Sequence, residues 1–181
     1  RWQPPLPRWD AYMWRDQPTY NKANTLQKEQ VRDISAFMKP DGTLVWDVPE
    51  GKWVVSRTGM LPTGVACGPA PKEGLGLETD KMSKEHIRAH FDNYIGQILK
   101  RIPAQDRKTF RVVVEDSYET GGQNWTDRMI EDFKKVYGYD PVPFIPVYNG
   151  VTVISPEVSD RFLWDVRRLI ADQIAYNYVG G

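Results

Sequence analysis

A short apolar run that ends in a cluster of acids is the strongest constraint on the fold of this 181-residue chain. The valines at 112–114 run directly into Glu115 and Asp116, and Glu119 follows just before a glycine pair at 121–122. Strands that end in carboxylates present acid/base groups at the carboxyl edge of barrel and open-sheet α/β proteins. We therefore expect residues 110–114 to form a buried strand that delivers these acids to a functional edge.

A β-hairpin is predicted before that strand. Asp41 and Gly42 form a hairpin-type turn, and residues 43–47 alternate between apolar and polar side chains as a strand does. A second turn at 49–51 leads into residues 52–57, which we expect to pair with 43–47.

Three helices are predicted after the hairpin. Ser83 offers an N-cap for the first, Thr126 opens the second, and Ser155 before Pro156 marks the start of the third. Residues 141–146, rich in proline, are expected to form an extended connection. Alternation of strands and helices favours an α/β fold, as part of a (β/α) barrel. The expected inward faces are Ile87, Phe91, Tyr94, Ile95, Ile98 and Leu99, then Ile130, Phe133 and Tyr137, then Phe162, Leu163, Val166, Leu169, Ile170 and Ile174.

Two regions are expected along the chain. Residues 1–40 are predicted to be an irregular arm, since the first 25 are rich in Trp, Pro and Tyr without periodicity. Residues 41–181 are predicted to hold the hairpin and the first part of a barrel. The chain begins at Arg1 without an initiator Met and stops in the tail of an amphipathic pattern. We therefore expect a fragment of a longer protein.

Composition and charge restrict which binding partners and which kinds of catalytic or metal site we expect. The formal net charge is zero, so nothing argues for nucleic acid or an anionic membrane as partner. No apolar stretch approaches the roughly 18 residues of a membrane span. Cys67 is the single cysteine and is interpreted as a loop thiol. His86 and His90 are the only histidines, which weakens any histidine-rich metal site or Ser-His-Asp triad.

The acidic segment has the groups that cleavage of a glycosidic bond requires. That reaction uses two carboxyls, one to protonate the leaving oxygen and one to activate water or attack the sugar. On a continuing strand Glu115 and Glu119 would share one face, whereas Asp116 would point to the other. The alternative is a solvated acidic loop that only precedes a helix.

The residues after the acids suit a polyhydroxylated ligand. Gln123 and Asn124 could bond sugar hydroxyls, and Trp125 could stack on a sugar face. A second acidic pair, Glu78 and Asp80, could supply oxygen ligands to a hard cation such as calcium. The alternative for that pair is a favourable position near a helix N-terminus.

Several blocks together resemble glycoside hydrolase family 106, the α-L-rhamnosidases. The blocks are residues 46–53 (WDVPEGKW), 57–59 (RTG), 76–83 (GLETDKMS), 115–126 (EDSYETGGQNWT), 137–141 (YGYDP) and 158–165 (VSDRFLWD). They occur in the expected order from about residue 40 to the end of the chain.

The resemblance implies part of a (β/α)8 catalytic barrel in a large, periplasmic or extracellular bacterial enzyme. Such an enzyme removes terminal L-rhamnose from polysaccharides, with inversion, through a pair of glutamates helped by calcium. Glu119 would be the leading catalytic residue, with Glu115 and Asp116 next. The partners would be the rhamnose-containing glycan and the remaining domains of the parent chain, and this piece alone would be inactive. The alternatives are a non-catalytic carbohydrate-binding module and a scaffold fragment.

Overall fold

The computed structural model describes residues 22–66, 68–114 and 122–181. Regular structure in these ranges is mainly helical. The α-helices are α1 (Lys84–Asn93), α2 (Ile95–Arg101), α3 (Met129–Tyr137) and α4 (Pro156–Gln173), and α4 continues as a π-helix at Ile174–Tyr178. Short 3-10 helices lie at Lys22–Asn24, Lys28–Gln30, Ser35–Phe37, Lys72–Gly74, Ala104–Thr109 and Val142–Asn149.

β-pairing in the described ranges is limited to isolated bridges. Leu26 pairs with Val153 in parallel, and Met38 with Leu44 and Ala66 with Leu77 in antiparallel fashion. None of the helices in these ranges combines the length and apolar character needed to cross a membrane. The chain divides into two compact units. The first holds the described residues up to Arg57 together with Ile130–Val166, and the second holds Thr58–Met129 and Arg167–Gly181.

The core of the first unit is a cluster of rings, which we call the aromatic cluster: Phe133, Tyr139, Phe144, Tyr148 and Phe162. Phe133 is 1% exposed and Phe162 is 2% exposed, and their ring centroids lie 5.8 Å apart. Phe162 also stacks on Phe144 at 5.4 Å and meets Tyr148 at 5.6 Å, whereas Phe133 meets Tyr139 edge-on at 4.9 Å. These separations are typical of attractive aromatic pairs. The expected inward orientation of Phe133 and Phe162 is confirmed.

Helix α4 begins as predicted. The Ser155 hydroxyl accepts a hydrogen bond from the backbone N–H of Val158 at 3.2 Å, and Pro156 occupies the first helical position, where its missing N–H costs nothing. Ser159 in the first turn bonds both backbone groups of Val153, which is fully buried. These bonds tie the start of α4 to the segment that pairs with Leu26.

In the second unit, the first predicted helix is present but broken. The Ser83 hydroxyl accepts from the backbone N–H of His86 at 3.3 Å, as expected of an N-cap. The helix ends at Asn93 because Tyr94 adopts φ −112° and ψ −82°, and α2 then starts at Ile95. Ile87 is buried as predicted, but Tyr94 and Ile98 are exposed. The break destroys the single apolar face that the spacing predicted.

The predicted hairpin is not found in the described chain. The turn itself exists, because the Asp41 carboxylate accepts from the backbone N–H of Thr43 at 2.9 Å and Gly42 has φ +83°. However, the turn joins Leu44 to Met38 in a single bridge, and the backbone N–H of Val45 donates to Phe37. The backbone of residues 43–47 therefore pairs with the segment before the turn rather than with residues 52–57.

Side chains, rather than a strand ladder, close the second turn. The Trp53 indole N–H donates to the carbonyl of Pro49 at 2.8 Å, and the Trp53 ring meets Trp46 edge-on at 5.4 Å. The guanidinium of Arg32 lies 4.9 Å from the centroid of the Trp53 ring, within the range of a cation–π contact. Val54, next to this turn, is exposed. Side-chain contacts of Trp53, rather than backbone pairing, thus connect residues 52–57 with residues 43–49.

Residues 110–114 do not form the predicted buried strand in the described chain. Val112 is 73% exposed and Val114 is 80% exposed. A buried strand needs pairing neighbours, and these residues have no β-bridge partner in the described ranges.

Candidate functional site

A network of hydrogen bonds joins the 76–83 block to the residues that follow the acidic segment. Asp80 is its centre. One carboxylate oxygen, Oδ1, accepts from the backbone N–H of Met82 at 2.8 Å and from the Gln123 side-chain amide. The other, Oδ2, accepts from the hydroxyl of Thr126 at 2.6 Å. We call Asp80, Gln123 and Thr126, with their bonds, the carboxylate network.

Gln123 is held at both ends of its amide. Its Nε2 donates to Asp80, and its Oε1 accepts from the backbone N–H of Lys81 at 3.2 Å. This pattern fixes which end of the amide carries the oxygen. Thr126 is 3% exposed, so the network closes over a buried hydroxyl. Gln123, predicted to bind sugar, therefore directs both amide groups at the 76–83 block in this structure.

A buried ion pair lies beside the network. Lys81 is 7% exposed, its ammonium bonds the carboxylate of Glu78, and it lies 5.8 Å from the centroid of the Tyr178 ring. Next to it, the Asn177 amide donates to the carbonyl of Met82 at 2.7 Å. The π-helix after α4 thus contacts Lys81 and Met82, the two residues that follow Asp80.

The two carboxylates predicted to bind calcium do not fit that role. Both oxygens of Asp80 accept hydrogen bonds from protein groups, and Glu78 bonds the buried Lys81 ammonium, which would repel a divalent cation. The described part of the chain contains no group of three or more His, Cys, Asp or Glu residues arranged to hold a metal ion.

Other predicted site residues are placed differently. Asn124 is exposed and Trp125 is half-buried, and in the sequence both lie between Gln123 and Thr126 of the carboxylate network. Glu115, Asp116 and Glu119 lie outside the described residues, as does Cys67.

The histidines behave as ordinary helix residues. His86 on α1 pairs with Asp127, with 3.1 Å between Nε2 and Oδ2, and both side chains are about half exposed. His90, one turn later, is exposed. The pair gives the start of α1 a second contact with the segment after the acids.

Sequence reasoning missed the partnership between Asp80 and Gln123 and the burial of Lys81. The partners of the Asp80–Gln123 bond are 43 positions apart in the sequence. The available signal was the dense run of polar side chains in both blocks, which pointed to function but not to a mutual contact.

The comparisons with known proteins decide the family. Residues 3–181 match glycoside hydrolase family 106, described as alpha-L-rhamnosidase. The chain belongs to this family. The resemblance drawn from the sequence blocks is therefore confirmed. The family 106 match includes the 76–83 block, which contains Asp80, and the 115–126 block, which contains Gln123 and Thr126.

Comparison with two relatives shows how much of a longer protein this chain spans. It is 40% identical over 153 residues to a Formosa agariphila protein that carries the provisional name beta-glucuronidase, covering 84% of this chain and 13% of that protein. It is similar to the structure of a rhamnosidase from Novosphingobium sp. PP1Y, with a TM-score of 0.72 and 34% identity. That match covers 85% of this chain and 15% of the rhamnosidase chain. The chain thus spans a small part of the length of either relative.

Proposed function

We propose that this chain contributes to a glycoside hydrolase that removes terminal α-L-rhamnosyl units from polysaccharides. The observation that carries the proposal is the family match over residues 3–181. The 34% identity to a solved rhamnosidase supports the same substrate class. Because the chain covers 13% and 15% of its two relatives, the activity is assigned to a full-length protein with further domains, and this piece alone is expected to be inactive.

The barrel belongs to the same proposal. Residues 110–114 would serve as a strand of a (β/α)8-type barrel whose neighbouring strands come from the rest of the full-length enzyme. The exposed valines support this, because apolar side chains of a parallel strand are buried once helices and strands cover both faces. Residues 1–40 would remain an arm outside the barrel.

The proposed chemistry uses two carboxyls and a water molecule. In an inverting reaction one carboxylic acid protonates the leaving oxygen, while a carboxylate removes a proton from water that attacks the opposite face of the sugar. Such pairs stand about 6.5–9.5 Å apart, which leaves room for the water. Glu119 is the leading candidate, followed by Glu115 and Asp116. Trp125 would stack on the sugar, and Asn124 would bond its hydroxyls.

Calcium is retained only as a helper of the whole enzyme, with ligands other than Glu78 and Asp80, because protein donors already occupy those two carboxylates. The periplasm or the outside of the cell is the proposed location, in keeping with a polysaccharide substrate.

The test replaces Glu119 with Gln in the full-length protein and measures turnover of an aryl α-L-rhamnoside. Loss of a general acid or base should lower kcat by about 10²–10⁴-fold. Glu131→Gln, at an exposed position on α3, is the matched control and should leave turnover unchanged. Full turnover by Glu119→Gln would remove that residue from the mechanism and direct the test to Glu115 and Asp116.

A second candidate is hydrolysis of β-glucuronides, which the name of the 40% identical relative favours. The two functions separate in one experiment, in which the full-length protein is given an aryl α-L-rhamnoside and an aryl β-D-glucuronide in parallel. Turnover of the rhamnoside supports the proposal, and turnover of the glucuronide alone would replace it. Sugar binding without turnover of either substrate would instead indicate a carbohydrate-binding module.

A further inference from the structure

We infer that Asp80 is a positioning residue, which fixes the segment carrying the catalytic acids from its C-terminal side. The inference rests on the proposed function, because it assigns Asp80 a role in the same reaction. Asp80 would not contact the sugar. It would act through Gln123 and Thr126, which follow Glu119 by a few positions in the sequence.

The first argument is where the donors to Asp80 come from. Two of them, the Gln123 amide and the Thr126 hydroxyl, belong to the segment after the acids. The third is the backbone N–H of Met82, two residues away. If Asp80 merely capped α1, its bonds would go to that helix, but Ser83 makes the N-cap bond. The Asp80 carboxylate therefore bonds mainly to the segment that follows the acids rather than to α1.

The second argument is that Asp80 itself is held firmly. Its neighbours Lys81 and Met82 are both buried. Lys81 is fixed by its ion pair with Glu78, and the carbonyl of Met82 accepts from Asn177. A carboxylate on a fixed backbone restricts the motion of the groups that it bonds. Supporting residues keep reactive groups in a productive geometry in this way.

The third argument concerns magnitude. Hydrogen bonds to an ionised carboxylate are roughly twice as strong as neutral ones, and here three converge on the half-buried carboxylate of Asp80. They restrict the chain at Gln123 and Thr126, which follow the proposed catalytic acids in the sequence. Misplacing a reacting group by about 1 Å can cost about 10²-fold in rate. Loss of this anchor should therefore appear in kcat.

The test compares conservative and disruptive variants of the full-length enzyme with an aryl α-L-rhamnoside. Thr126→Val and Asp80→Ala should lower kcat by roughly 10- to 100-fold, with a smaller rise in KM because Asn124 and Trp125 lie between the two anchored residues. Thr126→Ser, which keeps the hydroxyl, should restore most of kcat. Asp80→Asn should lie in between, because an amide keeps one acceptor and the threonine hydroxyl can turn to accept from the other end.

The control is Asp106→Ala, which removes an exposed carboxylate in the same unit and should leave kcat and KM unchanged. Melting temperatures of all variants show how much enzyme is folded during the assay. The inference is overturned if Thr126→Ser loses as much kcat as Thr126→Val, or if the loss follows the fraction of unfolded protein. It is equally overturned if Asp80→Ala keeps the kcat of the unmodified enzyme.

A second measurement, hydrogen exchange, tests the anchoring without any need for rhamnoside cleavage. Hydrogen exchange of a peptide covering residues 115–126 should be faster in Asp80→Ala than in the unmodified protein, with exchange of the α4 peptides unchanged. If the unmodified enzyme does not cleave rhamnosides, the proposed function fails while this measurement still decides whether Asp80 anchors the segment. Unchanged exchange at 115–126 would refute the anchoring.

Discussion

The aromatic cluster of the first unit and the carboxylate network of the second are built in opposite ways. Phe133 and Phe162 meet through apolar faces of α3 and α4, and each ring contacts several others without directional bonds. Asp80 meets Gln123 and Thr126 through oriented hydrogen bonds, each with one donor and one acceptor. The first kind of contact tolerates small shifts and stabilises the fold. The second fixes geometry, which is what a reactive segment needs.

The largest expected effect is on the aromatic cluster. Phe162→Ala removes a ring that is 2% exposed and contacts Phe133, Phe144 and Tyr148. The free energy of unfolding should fall by about 3–5 kcal/mol, because both transfer energy and packing are lost. Chemical denaturation measures it. Trp164→Ala on the same helix is the control, since Trp164 is 62% exposed and its loss should cost well under half as much. Equal losses would mean that the rings do not form the core.

The next effect tests the buried ion pair beside the carboxylate network. Lys81→Met leaves the Glu78 carboxylate without its ammonium partner in a poorly solvated position, which should cost about 3 kcal/mol of unfolding free energy. Arg168→Ala breaks an exposed pair with Asp172 in the same unit and should cost less than about 1 kcal/mol. Similar values for the two variants in denaturant titrations would contradict the burial of Lys81.

The sequence predicted the first region better than the second for a physical reason. Helical periodicity and capping are local signals, so the inward positions of Phe133 and Phe162 and the Ser155–Pro156 start could be identified. The contacts of Asp80 depend on how distant segments meet, and no local pattern encodes that.

Two further differences between the structure and the sequence predictions have the same origin. Residues 110–114 have the composition of a strand, but a strand exists only where a neighbour pairs with it. The proline-rich connection predicted to be extended is instead the 3-10 helix Val142–Asn149, with Phe144 and Val147 buried. The φ angle that proline imposes also suits the first turn of a helix, so burial of these side chains decided the outcome.

A polar bond inside the aromatic cluster gives a smaller effect. The Tyr139 hydroxyl donates to the buried carboxylate of Asp165 at 2.9 Å, and burial together with this bond raises the pKa of Tyr139. Tyr139→Phe keeps the ring contacts and removes the donor, so the unfolding free energy should fall by about 1–3 kcal/mol. Within the described part of the chain, the ion pair with Arg161 then remains as the partner of Asp165. No measurable loss in denaturant would show that the ring alone, and not the bond, matters there.

The smallest effect on the unfolding free energy at neutral pH is expected from Tyr148→Phe. The same substitution should have a larger effect above pH 10. Its hydroxyl is buried without a hydrogen-bond partner in the described part of the chain, so Tyr148→Phe should change the unfolding free energy by less than about 0.5 kcal/mol at pH 7. Burial raises the pKa of Tyr148 from 10.0 to about 12.

Between these two pKa values the unfolded chain loses the Tyr148 proton while the folded protein keeps it. The unfolded state then binds fewer protons, so stability falls as pH rises from 10 towards 12. Tyr148→Phe removes this loss, and its melting temperature should decline less steeply across that range than that of the unmodified protein. Identical slopes would mean that the Tyr148 hydroxyl reaches solvent. The aromatic cluster would then be open on the Tyr148 side, and its contrast with the closed carboxylate network would be weaker.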